Sequence, residues 1–288
     1  MTELIPRSAT EPLDIDSLRG ELIKGRSPRW QRMLKKFAAA ALGSVPWIGG
    51  FLAAAAAIPD EEAGEKEDEL RTQWLEEHHR KLGQLYGTLS DISNRFDKLG
   101  PDIEERVESP EYLELVRQAF RAWDHAETAD KRRYIGNLLG NAAGTKLSSD
   151  DVVRLFIAWL DQYHESHFMV IREIYQHPGI TRYGIWEQVF GEFPREDSAE
   201  ADLYRMLVRD LSTGGVIRQS RATNAAGQFL RKPSVRRPGG PPPTMESAFE
   251  DTKPYELTEL GKQFVHYTMS EAITRIGQGD KGEEAPAS

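Results

Sequence analysis

The chain has 288 residues, of which 46 are acidic and 37 basic, and its formal net charge is −9. That charge excludes a uniformly basic nucleic-acid-binding protein, and a composition of 39% hydrophobic and 29% charged residues indicates a folded helical protein of about two domains. The sequence contains no cysteine, which excludes disulfides, thiolate zinc sites, iron–sulfur clusters and a cysteine nucleophile, and agrees with a reducing compartment.

Charge is concentrated in three segments of the chain. Residues 17–36 contain seven basic side chains and one acidic one, residues 60–69 contain seven acidic and one basic, and residues 215–245 contain six basic and none acidic. Residues 1–26 are predicted to form a mobile tail without the basic and apolar regions of a secretory signal, so a cytoplasmic location is expected. A membrane or a nucleic acid would therefore have to bind at one of the two basic segments.

A basic amphipathic helix is predicted to begin at Ser27-Pro28, where serine caps the helix and proline takes its first position. Apolar residues follow at helical spacing along one stripe, and basic residues lie beside that stripe. Such a helix can lie in the surface of an anionic membrane, or it can pack as an ordinary helix on the rest of the protein. The predicted membrane-binding residues are Arg29, Trp30, Arg32, Lys35, Lys36, Phe37 and, in the next segment, Trp47.

Residues 37–58 carry no charge and are long enough to cross a hydrocarbon core of about 30 Å. However, one proline and three glycines between Gly43 and Gly50 predict a break, and thus two short helices in place of one span. Segment 27–59 is therefore predicted to be a hairpin that buries its alanine-rich faces in the protein and re-inserts into a bilayer when released; a purely structural hairpin is the alternative. The hairpin resembles the membrane-active segment of helical pore formers and of bacterial abortive-infection effectors. That resemblance implies a protein that is peripheral to, or conditionally inserted in, the inner membrane.

Segment 60–164 is predicted to be a helical bundle built around one long helix. Its seam follows a heptad pattern, and we expect it to pack on another helix, either in this chain or in a second copy that forms a homo-oligomer. Gly83 and Gly87 lie off the seam, where they either allow a close helix approach or simply weaken the helix. Residues 130–141, which read Asp-Lys-Arg-Arg-Tyr-Ile-Gly-Asn-Leu-Leu-Gly-Asn, resemble a recurring helix of bacterial phage-defence and abortive-infection proteins; a plain amphipathic helix is the alternative. The seam residues are Leu82, Leu85, Leu89, Ile92, Phe96 and Leu99.

Segment 165–270 is predicted to contain three helices, a strand, a long basic loop over 222–253 rich in proline and glycine, a second strand and a last helix. Two phrases support this order: Gly215-Val216-Ile217 after the leucine-rich third helix, and Leu257-Thr258-Glu259-Leu260-Gly261 before the last one. The segment resembles the winged-helix domains of bacterial regulators, which implies an α+β fold and a docking or DNA-binding role. Residues 271–288 are predicted to be a disordered tail. The predicted fold class is thus mainly α, with a helical hairpin and bundle followed by an α+β winged helix.

DNA binding by this segment would depend on its loop. A recognition helix meets DNA with its first turn, where Glu196, Asp197, Glu200 and Asp202 would repel phosphates. The loop carries the opposite charge and offers a phosphate-binding set or a solvated linker. The predicted nucleic-acid-binding residues are Arg218, Arg221, Arg231, Lys232, Arg236 and Arg237.

Catalysis is not predicted, because no nucleotide-binding glycine motif, nucleophile elbow or zinc-protease motif occurs, and the seven histidines lack a metal-binding spacing. No cofactor or metal is expected. The leading hypothesis is a non-enzymatic bacterial effector of the abortive-infection type, which acts on an anionic membrane through its hairpin and is regulated by, or docked on a protein partner through, the winged helix. The alternative is a transcription regulator that dimerises through the heptad helix and binds DNA through the wing, and a third reading is an accessory scaffold.

Overall fold

The computed structural model describes residues 20, 22–56, 65–145, 147–220 and 247–269. These residues form eleven α-helices and a two-stranded antiparallel sheet, which confirms a mainly helical protein with a small β component. Among them, the residues up to Asp161 form one compact unit and Gln162–Met269 form a second. The predicted tails before residue 20 and after residue 269 lie outside the described residues, as does most of the predicted loop.

In the first unit, the part of the chain that the structure describes forms seven α-helices and a short 3₁₀ turn. Proline at the first position of α1 and of α5 sets φ for helix entry, and Ser109 and Thr128 cap α5 and α6 by accepting backbone N–H groups from Tyr112 and Lys131. Ser27 stands at the predicted cap of α1 but makes no side-chain capping bond. The helices are α1 (Pro28–Leu42), α2 (Trp47–Ala56), α3 (Glu65–Leu99), α4 (Glu104–Glu108) after the 3₁₀ turn Pro101–Ile103, α5 (Pro110–His125), α6 (Ala129–Gly144) and α7 (Asp150–Gln162).

The heptad seam of α3 is buried within this chain. Each of its six predicted residues is at most 3% exposed, and α3 packs mainly on α6. Glycines of α6 allow the close approach: a Cβ on Gly140 or Gly144 would collide with Arg95 or Leu99 of α3. A Cβ added to Gly83 or Gly87 would have no described atom within 4 Å, so these two glycines of α3 do not face a neighbouring helix. The glycines that allow the close approach of the two helices lie on α6. A homo-oligomer through this seam stays a prediction, and it would require α3 to leave its partner in the same chain.

Two predicted boundaries need correction. Residues 22–26, assigned to the mobile tail, belong to the first unit, because Leu22 is buried and Arg26 donates to Asp97 over 2.7 Å. Residues 247–253, assigned to the long loop, pack against the second unit. Ala248 is fully buried, and the ring of Phe249 lies 5.1 Å from that of Trp186.

The described residues of the second unit form four helices and two short strands, with three helices before the first strand and one after the second. Strands β1 and β2 pair antiparallel with Ile217 opposite Leu257 and Gln219 opposite Tyr255. Ile180, which lies between the first two helices of the unit, forms an antiparallel bridge to Tyr255. The elements are α8 (Glu165–Gln176), α9 (Arg182–Val189), α10 (Ala199–Thr213), β1 (Ile217–Gln219), β2 (Tyr255–Leu257) and α11 (Glu259–Thr268).

The last helix of the second unit is fixed to β1 by a threonine and a glycine. Thr258 caps α11, its hydroxyl accepting the Gly261 N–H and donating to the Gly215 carbonyl over 2.6 Å. Gly261 is buried directly against the Val216 carbonyl, where no side chain fits. The phrase Leu-Thr-x-x-Gly therefore describes a capped helix that closely approaches the two residues leading into β1.

Candidate anion-binding surfaces

The apolar stripe of α1 faces the interior of the first unit. Met33, Leu34 and Phe37 are at most 2% exposed. The ring of Phe37 makes edge contacts with Phe96 of α3 and Phe120 of α5, at centroid distances of 5.3 and 6.3 Å. Phe37, predicted to insert into a membrane, is thus a core residue in this state, because the same spacing that suits a bilayer also suits the bundle.

The opposite side of α1 carries four exposed basic residues, which we name the basic face of α1: Arg29, Arg32, Lys35 and Lys36. One carboxylate interrupts it. Glu108 at the end of α4 accepts from Lys36 Nζ at 2.6 Å and from Arg32 Nε at 3.1 Å. The hydrogen bond from Lys36, joined by that from Arg32, holds the pKa of Glu108 below its ordinary value although partial burial acts in the other direction.

The two tryptophans of the predicted membrane site are half-buried and engaged in contacts within the chain. Trp30 lies under the guanidinium of Arg26, whose carbon is 6.0 Å from the ring centroid. Trp47 at the start of α2 donates its indole N–H to Asp124 of α5 over 2.7 Å. The prediction placed these rings in a lipid interface; in the structure Trp47 is bonded to α5 of the bundle, and Trp30 packs on Arg26 of the segment before α1.

The second helix of the hairpin is held by an aromatic cluster on α3. The rings of Trp47 and Phe51 lie 5.0 and 6.4 Å from the imidazole of His78, and Trp74 lies 4.0 Å from it. His78 is 8% exposed, and its Nδ1 is 2.7 Å from the Trp74 carbonyl oxygen. The hairpin therefore consists of two short helices, as predicted, and both are packed. Within the described ranges, no helix has the length and apolar content needed to cross a membrane.

The predicted nucleic-acid site is described at one residue. Arg218 lies on β1 and its Nε donates to Glu256 of β2 over 2.8 Å. The other five predicted residues, Arg221, Arg231, Lys232, Arg236 and Arg237, lie outside the described residues.

Arg218 shares a cleft with two arginines that sequence reasoning missed. Arg182 at the start of α9 and Arg209 near the end of α10 line the same cleft, which has a volume of about 480 Å³. Ser212, Gln219 and Tyr255 also line it, and among its described lining residues none is acidic. The three arginines lie far apart in the sequence and share no motif. Only the packing of α9, α10 and β1 brings them together.

The first turn of α10 has the opposite charge. Glu200 and Asp202 are exposed there, just after Glu196 and Asp197. Arg205 pairs with Glu196 and Asp202, and Arg195 pairs with Asp197. Glu196 also accepts the Ala248 N–H at 3.1 Å, so that carboxylate fixes residues 247–249 to the unit. Four carboxylates against two arginines leave this end of α10 acidic.

Neither the arrangement of metal-ligating side chains nor the comparison with known proteins indicates a further site. Within the described part of the chain, no group of three or more His, Asp or Glu side chains is arranged to hold a metal ion. No protein-family model, curated protein or solved structure matches this chain at a significant level.

Proposed function

We propose that this protein is a non-enzymatic, conditional effector of the bacterial abortive-infection type, which docks on anionic membranes through the basic face of α1 and keeps its hairpin packed until it is released. The observation that carries the proposal is the division of α1 into two sides. One side supplies core residues to the bundle, and the other presents four exposed basic groups. The resemblance of residues 130–141 and of the hairpin to abortive-infection proteins supports the biological class.

Docking in this state is electrostatic. A basic group near an anionic bilayer contributes about 1 kcal/mol, so this face, with four basic groups of which two share Glu108, is enough for weak, reversible binding. Insertion is not part of this state, because Phe37 is in the core and the indole of Trp47 is bonded to Asp124. Binding should therefore be weakened by salt and should occur without damage to the bilayer.

We propose that the second unit is a winged helix that receives the regulating signal. Its order of helix, bridged residue, two helices, strand, long connection and strand is typical of such domains. The pairing of Ile180 with Tyr255 supports this, since a winged helix places a short extended segment between its first two helices. The Gly261 contact with Val216 gives the return phrase a physical reason.

The test is flotation with vesicles of phosphatidylglycerol compared with phosphatidylcholine. We expect binding to the anionic vesicles alone, and loss of that binding in a variant whose four basic-face residues are alanine. A control variant removes four basic residues from other parts of the chain, so that the net charge changes equally, and should bind like the wild type. Its substitutions are Arg133→Ala, Arg154→Ala, Arg172→Ala and Lys262→Ala.

Two results of the vesicle test would contradict the proposal: equal binding to the two vesicle types, and an unchanged affinity in a basic-face variant that circular dichroism shows to be folded.

Release of the hairpin is tested separately in bacterial cells. Expression of the protein should depolarise the membrane, and Trp30→Glu with Trp47→Glu should abolish that effect. Depolarisation that survives the double substitution would remove the hairpin from the mechanism.

A second candidate, a DNA-binding regulator, is favoured by the order of elements in the second unit and by Arg218. The acidic first turn of α10 opposes it, since phosphates would meet that end of a recognition helix. This candidate predicts salt-dependent duplex binding that survives changes in the hairpin. It also predicts loss of binding when Arg218, Arg221, Arg231, Arg236 and Arg237 are all alanine.

A further inference from the structure

We infer that the arginine cleft of the second unit binds the phosphate groups of a small phosphorylated ligand. Arg182, Arg209 and Arg218 approach the cleft from α9, α10 and β1 respectively. Guanidinium groups are suited to phosphate because they donate two parallel hydrogen bonds to its oxygens. The inference does not depend on the membrane role proposed above, which involves the other unit.

Two of the three arginines are positioned by bonds within the second unit. The hydroxyl of Tyr255 accepts from Arg182 Nε at 3.0 Å and from Gln219 Nε2 at 3.3 Å, and the Arg182 guanidinium lies over the Tyr255 ring. Tyr255 itself is 2% exposed. Arg218 is oriented by its bond to Glu256. A ligand therefore meets donors that are already oriented, and it orders fewer side chains on binding.

Among the described residues, three carboxylates near the cleft each have a basic partner, and one of them, Glu259, pairs with Lys262 while also interacting with the charge of Arg218. Glu256 accepts from Arg218, and Asp210 lies 3.7 Å from Arg209 Nε. The last carbonyls of α10 would also repel an anion. However, Asp210, Leu211 and Ser212 accept hydrogen bonds from the backbone N–H groups of residues 214–216, which reduces that effect. Arg209 is 73% exposed, so its side chain can reach a bound anion.

The size and charge of the surroundings favour a small ligand over a nucleic acid. A cleft of about 480 Å³ is within the range of small-molecule sites. Glu200 lies twelve residues before Ser212 on α10, which corresponds to about 18 Å along the helix. That distance exceeds the Debye length of about 8 Å at physiological salt, so the acidic end barely affects an anion held in the cleft. A duplex lying along α10 would contact those carboxylates directly.

The experiment is calorimetric titration of the full chain with inorganic pyrophosphate, with a short duplex DNA as the second arm. We expect pyrophosphate to bind and Arg209→Ala to weaken it about tenfold or more, because a charge-assisted donor is lost. Arg209 is exposed, so this variant should fold. Arg133→Ala in the first unit is the matched control and should bind like the wild type. Tyr255→Phe removes only the hydroxyl that positions Arg182 and should give an intermediate loss.

Three results would overturn the inference. Pyrophosphate that does not bind the wild type is the first. Equal affinity in wild type and Arg209→Ala is the second, because the cleft would then not be the site. The third is duplex DNA that binds through Arg209 and is not displaced by pyrophosphate, which would make the ligand a nucleic-acid backbone.

Discussion

Replacing Gly261 by alanine tests the packing of the last helix against β1. A Cβ built on Gly261 lies well inside 3.0 Å of the Val216 carbonyl oxygen, a separation that Cβ atoms essentially never show. The obstacle is backbone, and it cannot rotate away as a long side chain would. Helix α11 must therefore retreat from β1, and the Thr258 bonds to the Gly215 and Val216 carbonyls must lengthen or break.

The expected change in the free energy of unfolding combines one stabilising term with two destabilising ones. Alanine is favoured over glycine inside a helix by at most about 1 kcal/mol, and less in the first turn where Gly261 lies. Forcing an extra methyl group into a packed core costs about 1–3 kcal/mol, and a broken cap costs about 1 kcal/mol more. We expect a net loss of about 2 kcal/mol, which corresponds to a fall of roughly 8 °C in Tm for a unit of this size.

Thermal unfolding followed by near-ultraviolet circular dichroism measures this loss, and Gly83→Ala is the control. Gly83 lies in the middle of α3 with no described atom within 4 Å of a built Cβ, so the same substitution there should stabilise the first unit by about 0.5–1 kcal/mol. The two variants should shift in opposite directions. If Gly261→Ala is as stable as the wild type, the close approach of α11 to β1 is wrong.

Three further substitutions test single contacts. Thr88→Val removes the hydroxyl that accepts the Trp123 indole N–H at 3.0 Å, and should cost about 1–3 kcal/mol in urea unfolding, whereas Thr88→Ser should not. Thr258→Ala removes a helix cap and should cost about 1–2 kcal/mol, again with serine as the control. Glu108→Gln should cost less than about 1 kcal/mol because its partners are roughly half exposed. Since the pKa of Glu108 is lowered on folding, that difference should be present at neutral pH and disappear as the pH falls through the lowered pKa.

Helical spacing predicted the stripes of α1 and α3, and one proline with three glycines predicted a break between Gly43 and Gly50, because these signals depend on neighbours within a few residues; in the structure residues 43–46 separate the two helices. Helical spacing could not determine what covers each stripe. Phe37 packs on Phe96 and Phe120, which are distant in sequence, and a stripe of the same width would suit a bilayer. For Gly83 and Gly87 the spacing left two readings open, and the open space around both agrees with a simple weakening of the helix, whereas the glycines that approach α3 lie on α6, which only the tertiary structure shows.

Of the two candidate sites, only the one formed by residues close together in the sequence could be predicted in full. The basic face of α1 is local, since four residues within two turns share one side, and all four are exposed. The arginine cleft depends on tertiary structure, and only Arg218 drew attention because it begins a basic segment. Arg182 and Arg209 are isolated in sequence, and Arg182 is oriented by Tyr255, which lies on β2 and is more than seventy residues away in the sequence.

The contacts of α1 set the free energy that the proposed release of the hairpin would have to overcome. Burial of Met33, Leu34, Phe37 and Leu42 contributes about 1.5–3 kcal/mol for each side chain, or roughly 6–12 kcal/mol for the four. The ion pairs of Arg26, Arg32 and Lys36 contribute at most about 1 kcal/mol each, because one partner in each pair is exposed to solvent. Salt, acid or headgroup competition can break the ion pairs and leave the apolar contacts intact. A bilayer would re-bury the side chains of α1 but would leave a cavity beside Phe96 and Phe120, at a further cost of about 3–5 kcal/mol. In the proposed mechanism, contact with a membrane would therefore not be enough to insert the hairpin, and the proposed signal would have to act on the bundle that holds it.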